Sequence, residues 1–331
     1  MLNVGLLGCG RIGKVHAVTI AGHPGSRLAA VSDVHTPAAE ALGGAYGAAV
    51  RSSDAIVADE AIDAVLIATS TDTHADLIEA ATRAGKAVLC EKPVDLSLGR
   101  ARAVAAVAHG TGRPVMVGHN RRFDPSFGAL KAALDRGEIG DPEMLAVTSH
   151  DPGPPPIEYV RVSGGLFRDM MIHDFDIANF LMGDVPEAVF AAGSSLVDPA
   201  IGEAGDVDTA IVTLRYADGR VAVIRNSRRA AYGYDQRIEL LGSKGMLEAR
   251  NVLENQLVRS TADGVTSARP VHFFLERYMP AYAAEWDAFV RAVADGTPVP
   301  VTLEDGIAAL RMAEAATRSA KEGRPVMLAD L

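Results

Sequence analysis

Hydrophobic and polar positions follow one pattern in the first third of the chain. Short, continuous apolar runs are separated by segments with helical periodicity, and runs of this length are typical of strands buried on both faces. Strands alternating with helices predict a doubly wound parallel sheet of the Rossmann type. The strands that the runs predict are 2–7, 28–32, 64–68, 86–90 and 115–118.

The pattern changes after Met144, where apolar and polar residues alternate over short stretches. Alternation with a period of two is typical of strands with one buried face, and Asp218-Gly219 is a hairpin signal. We therefore predict an α+β domain with a large, open and mostly antiparallel sheet. Its strands are expected at 145–149, 189–194, 210–216, 221–226 and 237–241.

Two amphipathic helices are expected near the end of the chain. The first carries a bulky apolar residue at 278, 282, 286, 289 and 293, a spacing typical of a helix against a core, and the second covers 304–321. We predict domains at 1–119 and 120–331, with the helices at about 278–322 packing back on the first domain.

A glycine-rich turn follows the first predicted strand, in the stretch Gly8-Cys9-Gly10-Arg11-Ile12-Gly13. In a strand–turn–helix context, such glycines permit a tight turn, close approach of a pyrophosphate and close packing of helix on strand. The second strand delivers Asp33 about 20 residues later, where an acid would hold a ribose diol. The pattern predicts NAD binding. NADP is less favoured because a carboxylate repels a 2′-phosphate, and the alternative is a glycine-rich connection with Asp33 capping a loop.

Further cofactor-binding candidates lie in the glycine turn and after the later strands. Lys92 follows a strand directly and therefore lies at the carboxyl edge of the sheet, where ligands of such folds bind. Lys92 is also a candidate for chemistry, and its alternative is an ordinary exposed lysine. The additional cofactor candidates are Arg11, Ile12, Thr69, Ser70, Thr71, His74, Glu91 and Lys92.

The stretch 164–181 is predicted to form one helix, on which Asp169, His173 and Asp176 share a face at i, i+4 and i+7. Such a stripe is a solvated face, a metal site or an acid/base group in a substrate pocket. A metal needs further converging ligands, and no other His or Cys lies nearby in the chain, so none is expected. A histidine with a pKa near ~6.5 can accept the proton of an alcohol during hydride transfer. We therefore expect His173 as the base, with Lys92 stabilising alkoxide charge and Asp169 orienting the substrate.

Composition narrows the possible partners. The chain has 331 residues, 48% of them hydrophobic, and a net charge of -10 without any long Lys/Arg cluster, so nucleic acid is an unexpected partner. The N-terminus lacks a signal-peptide pattern, and no apolar run approaches the ~20 residues of a membrane span. We expect a cytoplasmic protein without a membrane partner, whose two cysteines, Cys9 and Cys90, are reduced and structural.

Several motifs together resemble those of the glucose-fructose oxidoreductase and inositol dehydrogenase family, and within it the myo-inositol 2-dehydrogenases. The resemblance covers essentially the whole chain and implies that Lys92, Asp169 and His173 are the catalytic residues. It implies oxidation of the 2-hydroxyl of myo-inositol to 2-keto-myo-inositol (scyllo-inosose), and a homotetramer with the open sheet as an interface. The motifs are 8–16, Cys90-Glu91-Lys92-Pro93, 120–124, 164–181 and 226–237.

The residues expected to bind the polyol substrate are Asn120, Arg122, His150, Asp176 and Tyr232. The resemblance implies that Asp176 and Tyr232 contact substrate hydroxyls. The alternatives are strand-end packing for Tyr232 and surface salt bridging for Arg122 and its neighbour Arg121.

The chain departs from the family pattern at three positions. It has His119, His150 and Met171 where inositol dehydrogenases usually have an aromatic residue, Arg and Thr. These departures keep a related scyllo-inositol or aldose dehydrogenase open as an alternative. A catalytically silent, nucleotide-sensing regulator is the remaining alternative.

Overall fold

The computed structural model describes all 331 residues, and the chain forms two compact units. The first unit combines residues 1–123 with residues 280–310, and the second combines residues 124–279 with residues 311–331. Neither unit is therefore one continuous segment of chain. None of the helices combines the length and the apolar character that crossing a membrane requires.

The first unit is built on a six-stranded sheet with the order β3-β2-β1-β4-β5-β6, in which every pair of neighbours is parallel. All residues of the strands at 64–67 and 87–91 are buried, which accounts for their continuous apolar pattern. The prediction of a doubly wound parallel sheet is confirmed. The strands are β1 (Leu2–Leu7), β2 (Ser26–Ser32), β3 (Ala49–Val50), β4 (Ala64–Ile67), β5 (Ala87–Glu91) and β6 (Val115–Gly118).

Helices connect these strands, as a parallel sheet requires. The strand β3 has two residues, too few for a hydrophobic pattern to reveal it. The connecting helices are α1 (Arg11–Gly22), α2 (Thr36–Tyr46), α3 (Ser53–Ala58), α4 (His74–Arg83) and α5 (Leu98–Thr111).

The second unit contains a seven-stranded sheet with the order β12-β11-β7-β10-β9-β8-β15. Its pairs are antiparallel except for β7 with β10, so the predicted, mostly antiparallel sheet is confirmed. The strands are β7 (Pro142–His150), β8 (Ala188–Ser194), β9 (Thr209–Arg215), β10 (Val221–Ser227), β11 (Asp235–Gly242), β12 (Gly245–Ala249) and β15 (Val326–Met327), beside a separate hairpin of β13 (Val258–Thr261) and β14 (Gly264–Ser267).

The second unit also contains five shorter helices, and two long helices belong partly to each unit. The long helix α11 (Phe274–Asp295) buries Tyr278, Tyr282, Trp286 and Phe289, as their spacing predicts, whereas Val293, the last residue of the predicted stripe, is only half-buried. The others are α6 (Pro125–Asp135), α7 (Ile157–Ser163), α8 (Gly165–Asp169), α9 (Ile172–Met182), α10 (Pro199–Glu203) and α12 (Leu303–Glu322).

The prediction of one continuous helix over 164–181 is wrong. The chain forms α8 and α9, with Met170 and Met171 between them. The N–H groups of both methionines donate to the carbonyl oxygen of Leu166, at 3.0 and 2.9 Å, so the regular i to i−4 ladder is interrupted. Both methionines are buried, and this packing outweighs the high helix propensity of methionine. Helical spacing therefore does not place Asp169 on one face with His173.

Candidate active site

The glycine turn between β1 and α1 has the geometry that its sequence predicts. Gly8 has φ of 96°, and a Cβ there would lie 2.3 Å from the carbonyl oxygen of Ala68. A Cβ at Gly13 would lie 2.0 Å from the carbonyl oxygen of Gly8. A Cβ at Gly10 would meet nothing within 4 Å, so the middle of the turn is open to a ligand. The turn therefore fits the pyrophosphate of a dinucleotide at the N-terminus of α1.

Asp33 lies against the same turn, directly after β2. Its Oδ2 accepts the N–H of Cys9 at 2.6 Å, and its Oδ1 accepts the N–H of His35 at 2.8 Å. The carboxylate is thus held at a fixed place beside the turn. Each of its oxygens retains a second lone pair, and a ribose hydroxyl could donate to it.

The loop after β4 is held from behind by His74. Its Nδ1 lies 2.8 Å from the carbonyl oxygen of Pro93, and its Nε2 lies 3.2 Å from that of Thr69. The ring is buried, and burial lowers its pKa in spite of these hydrogen bonds. His74 therefore connects the loop after β4 to the loop after β5. Two other cofactor candidates lie in the same loop, where Ser70 is exposed and Thr71 is half-buried. In the glycine turn, Arg11 is exposed and Ile12 is half-buried.

Glu91, at the end of β5, is buried, and its carboxylate forms hydrogen bonds with residues of the first unit. Its Oε1 lies 2.8 Å from His16 Nε2, and its Oε2 accepts the N–H of Lys92 at 3.3 Å. Burial opposes ionisation of Glu91. The hydrogen bond and charge of His16, together with the charge of Lys92, outweigh this effect, so the pKa of Glu91 lies below its ordinary value. The pair links α1 to the strand end that carries Lys92, whose side chain is half-buried.

The turn Asn120–Phe123 follows β6 and carries two of the predicted substrate residues. Arg122 donates from Nη2 to Asp305 Oδ1 at 3.0 Å, an ion pair within the first unit. Burial opposes ionisation of Asp305, but the Arg122 charge and bonds from Thr302 lower its pKa. Asn120 is buried, and its Nδ2 has no hydrogen-bond partner. A buried amide of this kind is available to a ligand.

In the second unit, Asp169 lies at the end of α8 and both its oxygens are engaged. Oδ1 accepts the hydroxyl of Tyr159 at 2.8 Å, and Oδ2 lies 3.4 Å from Arg228 Nη2. His173 follows on the first turn of α9 and is half-buried, while Asp176, one turn further, is buried.

Asp174, next to His173, is fully buried and was not predicted as a site residue. Its Oδ1 accepts the hydroxyl of Ser149 at 2.6 Å, and its Oδ2 accepts an amide N–H of Asn226 at 2.8 Å. Ser149 belongs to β7 and Asn226 to β10, so one carboxylate fastens the start of α9 to two strands. The only sequence signal was an acid within an apolar run, which has several explanations.

His150 and Tyr232 meet over a buried carboxylate, Asp235, which was also not predicted. Tyr232 donates to Asp235 Oδ2 at 2.6 Å and lies 3.3 Å from His150 Nδ1. Burial and this bond raise the pKa of Tyr232 to about 12, and burial lowers that of His150. Burial opposes ionisation of Asp235, but bonds from Arg237, Tyr232 and Asn251 lower its pKa. At neutral pH, Tyr232 and His150 can therefore offer neutral hydrogen-bonding groups.

Neither the two cysteines nor a metal cluster adds reactive chemistry to the site. Cys9 and Cys90 are free and buried, and burial raises the pKa of Cys9 to about 11 and that of Cys90 as well, so neither is a ready nucleophile. No three His, Cys, Asp or Glu side chains are grouped so that they could hold a metal ion.

Comparison with known proteins identifies the family of the chain. Residues 2–119 match the NAD-binding Rossmann-fold model of the Gfo/Idh/MocA oxidoreductase family, and residues 131–328 match its C-terminal α/β domain model. The protein belongs to the Gfo/Idh/MocA oxidoreductase family. It is accordingly an oxidoreductase with a nicotinamide cofactor, and the residues of the glycine turn fit that cofactor.

Individual relatives cover the whole chain. The protein is 52% identical to an inositol 2-dehydrogenase of Rhizobium meliloti (strain 1021) over 98% of both chains. It is 44% identical to a myo-inositol 2-dehydrogenase of Thermotoga maritima over 100% of this chain and 99% of the relative. A crystal structure of a putative myo-inositol dehydrogenase from Sinorhizobium meliloti 1021 superposes with a TM-score of 0.97 at 51% identity, covering 99% of this chain and 100% of the other.

Proposed function

We propose that the protein oxidises the 2-hydroxyl of myo-inositol to a ketone, giving 2-keto-myo-inositol (scyllo-inosose). The observation that carries this proposal is the full-length likeness to inositol 2-dehydrogenases at 52% and 44% identity. It is supported by two candidate groups on consecutive helices of the second unit: the half-buried His173 on the first turn of α9, and Asp169 at the end of α8, whose carboxylate is held by hydrogen bonds.

Oxidation of an alcohol breaks the C–H and O–H bonds of one carbinol and forms a C=O bond. The bound nicotinamide supplies the acceptor for the hydride. His173 accepts the hydroxyl proton, because a neutral imidazole nitrogen can act as a general base. Lys92 stabilises the negative charge that develops on the oxygen, and Asp169 orients the substrate through a hydrogen bond. His150, Asp176, Tyr232, Asn120 and Arg122 are proposed to bind the other hydroxyls.

We propose NAD rather than NADP as the cofactor. Asp33 is held beside the glycine turn by the N–H groups of Cys9 and His35, so its carboxylate stays in place. A carboxylate there can accept both ribose hydroxyls of NAD and repels a 2′-phosphate.

A second candidate substrate is scyllo-inositol. The chain is 35% identical to the scyllo-inositol 2-dehydrogenase (NAD(+)) of Bacillus subtilis over 98% of its length. It also superposes, with a TM-score of 0.92 and 30% identity over 99% of both chains, on a Lactobacillus casei scyllo-inositol dehydrogenase with bound NAD(H) and scyllo-inositol. The two substrates differ only in the configuration at carbon 2, so the same donors and base could serve either.

A homotetramer is proposed as the working state, with the open sheet of the second unit as an interface. The exposed face of that sheet carries large apolar side chains, including Phe190, Ile211 and Leu241. Exposed apolar surface of this kind is typical of subunit contacts. Light scattering after size exclusion would show four copies, and a monomer would contradict this assembly.

The experiment is a comparison of initial rates of NADH formation by the purified protein. Myo-inositol with NAD is expected to be fastest, against parallel reactions with scyllo-inositol, with glucose and with NADP. A faster reaction with scyllo-inositol would make the second candidate the function. Tight NAD binding without turnover of any polyol would contradict the enzyme proposal and favour a nucleotide-sensing role.

A further inference from the structure

A buried arginine contacts the carboxylate proposed to orient the substrate. We propose that Arg228 is a positioning residue, which acts on the reaction by fixing the Asp169 side chain. This inference rests on the proposed function, in which Asp169 contacts the polyol. Arg228 itself is not placed on the substrate.

The burial of Arg228 is unusual for its residue type. Its side chain is 2% exposed, whereas its partner Asp169 is 14% exposed. Charged groups are rarely buried this deeply unless they are paired, because desolvation is expensive. Arg229, the next residue, is exposed and donates only to the carbonyl oxygen of Leu196 among its side-chain bonds. Of these two adjacent arginines, only Arg228 is directed to a carboxylate.

The backbone of Arg228 is held independently of its side chain. It follows β10 directly, and its N–H donates to the carbonyl oxygen of Asp208 at 2.8 Å. The Asp208 carboxylate accepts the N–H groups of Leu196, Val197 and Asp198 in turn. The guanidinium is therefore presented from a rigid sheet end, which is the kind of support that precise positioning needs.

A second carboxylate near Arg228 holds the other end of α8. Asp206 accepts the N–H of Leu166 with both oxygens, at 3.0 and 3.1 Å. Burial raises the pKa of Asp206, and the charge of Arg228 opposes that rise. A Cβ at Gly165 would lie 2.6 Å from Asp206 Oδ1, so the approach requires glycine. The charge of Arg228 thus acts on two carboxylates: Asp169, at the end of the five-residue helix α8, and Asp206, which accepts an N–H near the start of that helix.

The two oxygens of Asp169 are held by donors of different kinds. Oδ1 accepts from Tyr159, which is 47% exposed, and Oδ2 faces the buried Arg228. With both oxygens engaged, rotation of the carboxylate about its last torsion is restricted. Orientation of a reacting group within a narrow range contributes to rate, and small displacements from that range can cost about 100-fold.

The test compares Arg228→Met, Arg228→Lys and the matched control Arg229→Met in the full-length protein. Arg228→Met is expected to lower kcat for myo-inositol about 100-fold, with NAD affinity within about twofold of wild type, because geometry and not cofactor binding is lost. Arg228→Lys keeps the charge without the planar fork and should recover part of the rate. Arg229→Met should leave kcat unchanged.

A purely structural role is distinguished by the isotope effect. With myo-inositol deuterated at carbon 2, the effect on kcat should increase in Arg228→Met and Arg228→Lys, because hydride transfer becomes more limiting. A loosened fold alone would lower activity and NAD affinity together without this increase. If Arg228→Met fails to fold, Arg228→Lys and Tyr159→Phe provide the test. Because both residues hold the same carboxylate, the loss of kcat in the double variant Arg228→Lys/Tyr159→Phe should be smaller than the product of the two single losses.

The outcomes separate the two proposals. Wild-type protein without polyol turnover overturns the proposed function and this inference with it. An active wild type, an inactive Asp169→Asn and a fully active Arg228→Met would overturn the role of Arg228 alone. Equal losses in Arg228→Met and Arg229→Met would also overturn it.

Discussion

The glycine turn of the first unit, at 8–13, and the polar cluster of the second unit, formed by Asp169, Arg228, Asp174 and Asn226, are built by different means. The turn uses backbone: three glycines within six residues define its shape, and two of them have no room for a Cβ. The polar cluster uses side chains from distant parts of the chain, such as Asp169 with Arg228 and Asp174 with Asn226. A site made of local backbone is visible in sequence, whereas a site made of cross-strand pairs is visible only once the strands are paired.

The largest effect should come from the second region, in its chemistry. His173→Ala is expected to lower kcat by a factor of about 100 to 10,000, because a general base is lost. The Kd for NAD, followed by fluorescence titration, should stay within about twofold if the two regions do separate tasks. His109→Ala, at an exposed histidine paired with Glu304, is the control. Equal losses in kcat and NAD affinity would contradict the separation.

The first region should respond to a single methyl group. Gly13→Ala places a Cβ 2.0 Å from the Gly8 carbonyl oxygen. It should weaken NAD binding at least tenfold and lower the free energy of unfolding by about 1–3 kcal/mol through overpacking. Gly22→Ala, on the same helix with nothing within 4 Å, is the matched control and should leave NAD binding unchanged. Normal NAD affinity in Gly13→Ala would show that the turn is not built from close backbone packing.

A third change tests whether the second region depends on side-chain pairs. Asp174→Asn should lower the free energy of unfolding by about 1–3 kcal/mol, because a buried acceptor in contact with Ser149 and Asn226 is lost. The swap Asp174→Asn with Asn226→Asp restores a donor and an acceptor and should recover part of that loss. Urea unfolding measures both. A double variant no more stable than the sum of the single losses predicts would argue against the pair.

The smallest effect is a pH dependence at Asp235. Its pKa in the folded protein lies below the ordinary 3.8, since bonds from Arg237, Tyr232 and Asn251 outweigh the opposing effect of burial. The charged form therefore stabilises the fold above the ordinary pKa, and this contribution is lost as the pH falls through the folded value. The difference in unfolding free energy between wild type and Asp235→Asn should be constant from about pH 7 to pH 5 and then shrink. A difference that grows on acidification would contradict the assignment.

Hydrophobic pattern and glycine spacing were sufficient for most of the fold. Most strands of both sheets and the turn at Gly8, Gly10 and Gly13 follow from local sequence, because buried strands and tight turns demand particular residues nearby. The strands β3, β12 and β15 were not predicted. The break at Met170 and Met171 could not be predicted this way, since it depends on packing of both side chains into the core. Nor could the pairing of Asp169 with Arg228 or of Asp174 with Asn226, because these partners lie more than 50 residues away along the chain.

The discontinuity of the first unit has a consequence for how the protein is made. Trp286, on a segment that returns to this unit, donates its indole N–H to Ser26 Oγ at 2.9 Å and is 1% exposed. A nascent chain leaving the ribosome therefore cannot complete its first unit when residue 123 emerges, and must wait until residues 280–310 have been translated. Until then the first unit lacks the returning segment, and a nascent chain stalled at that stage is where chaperone binding should be greatest.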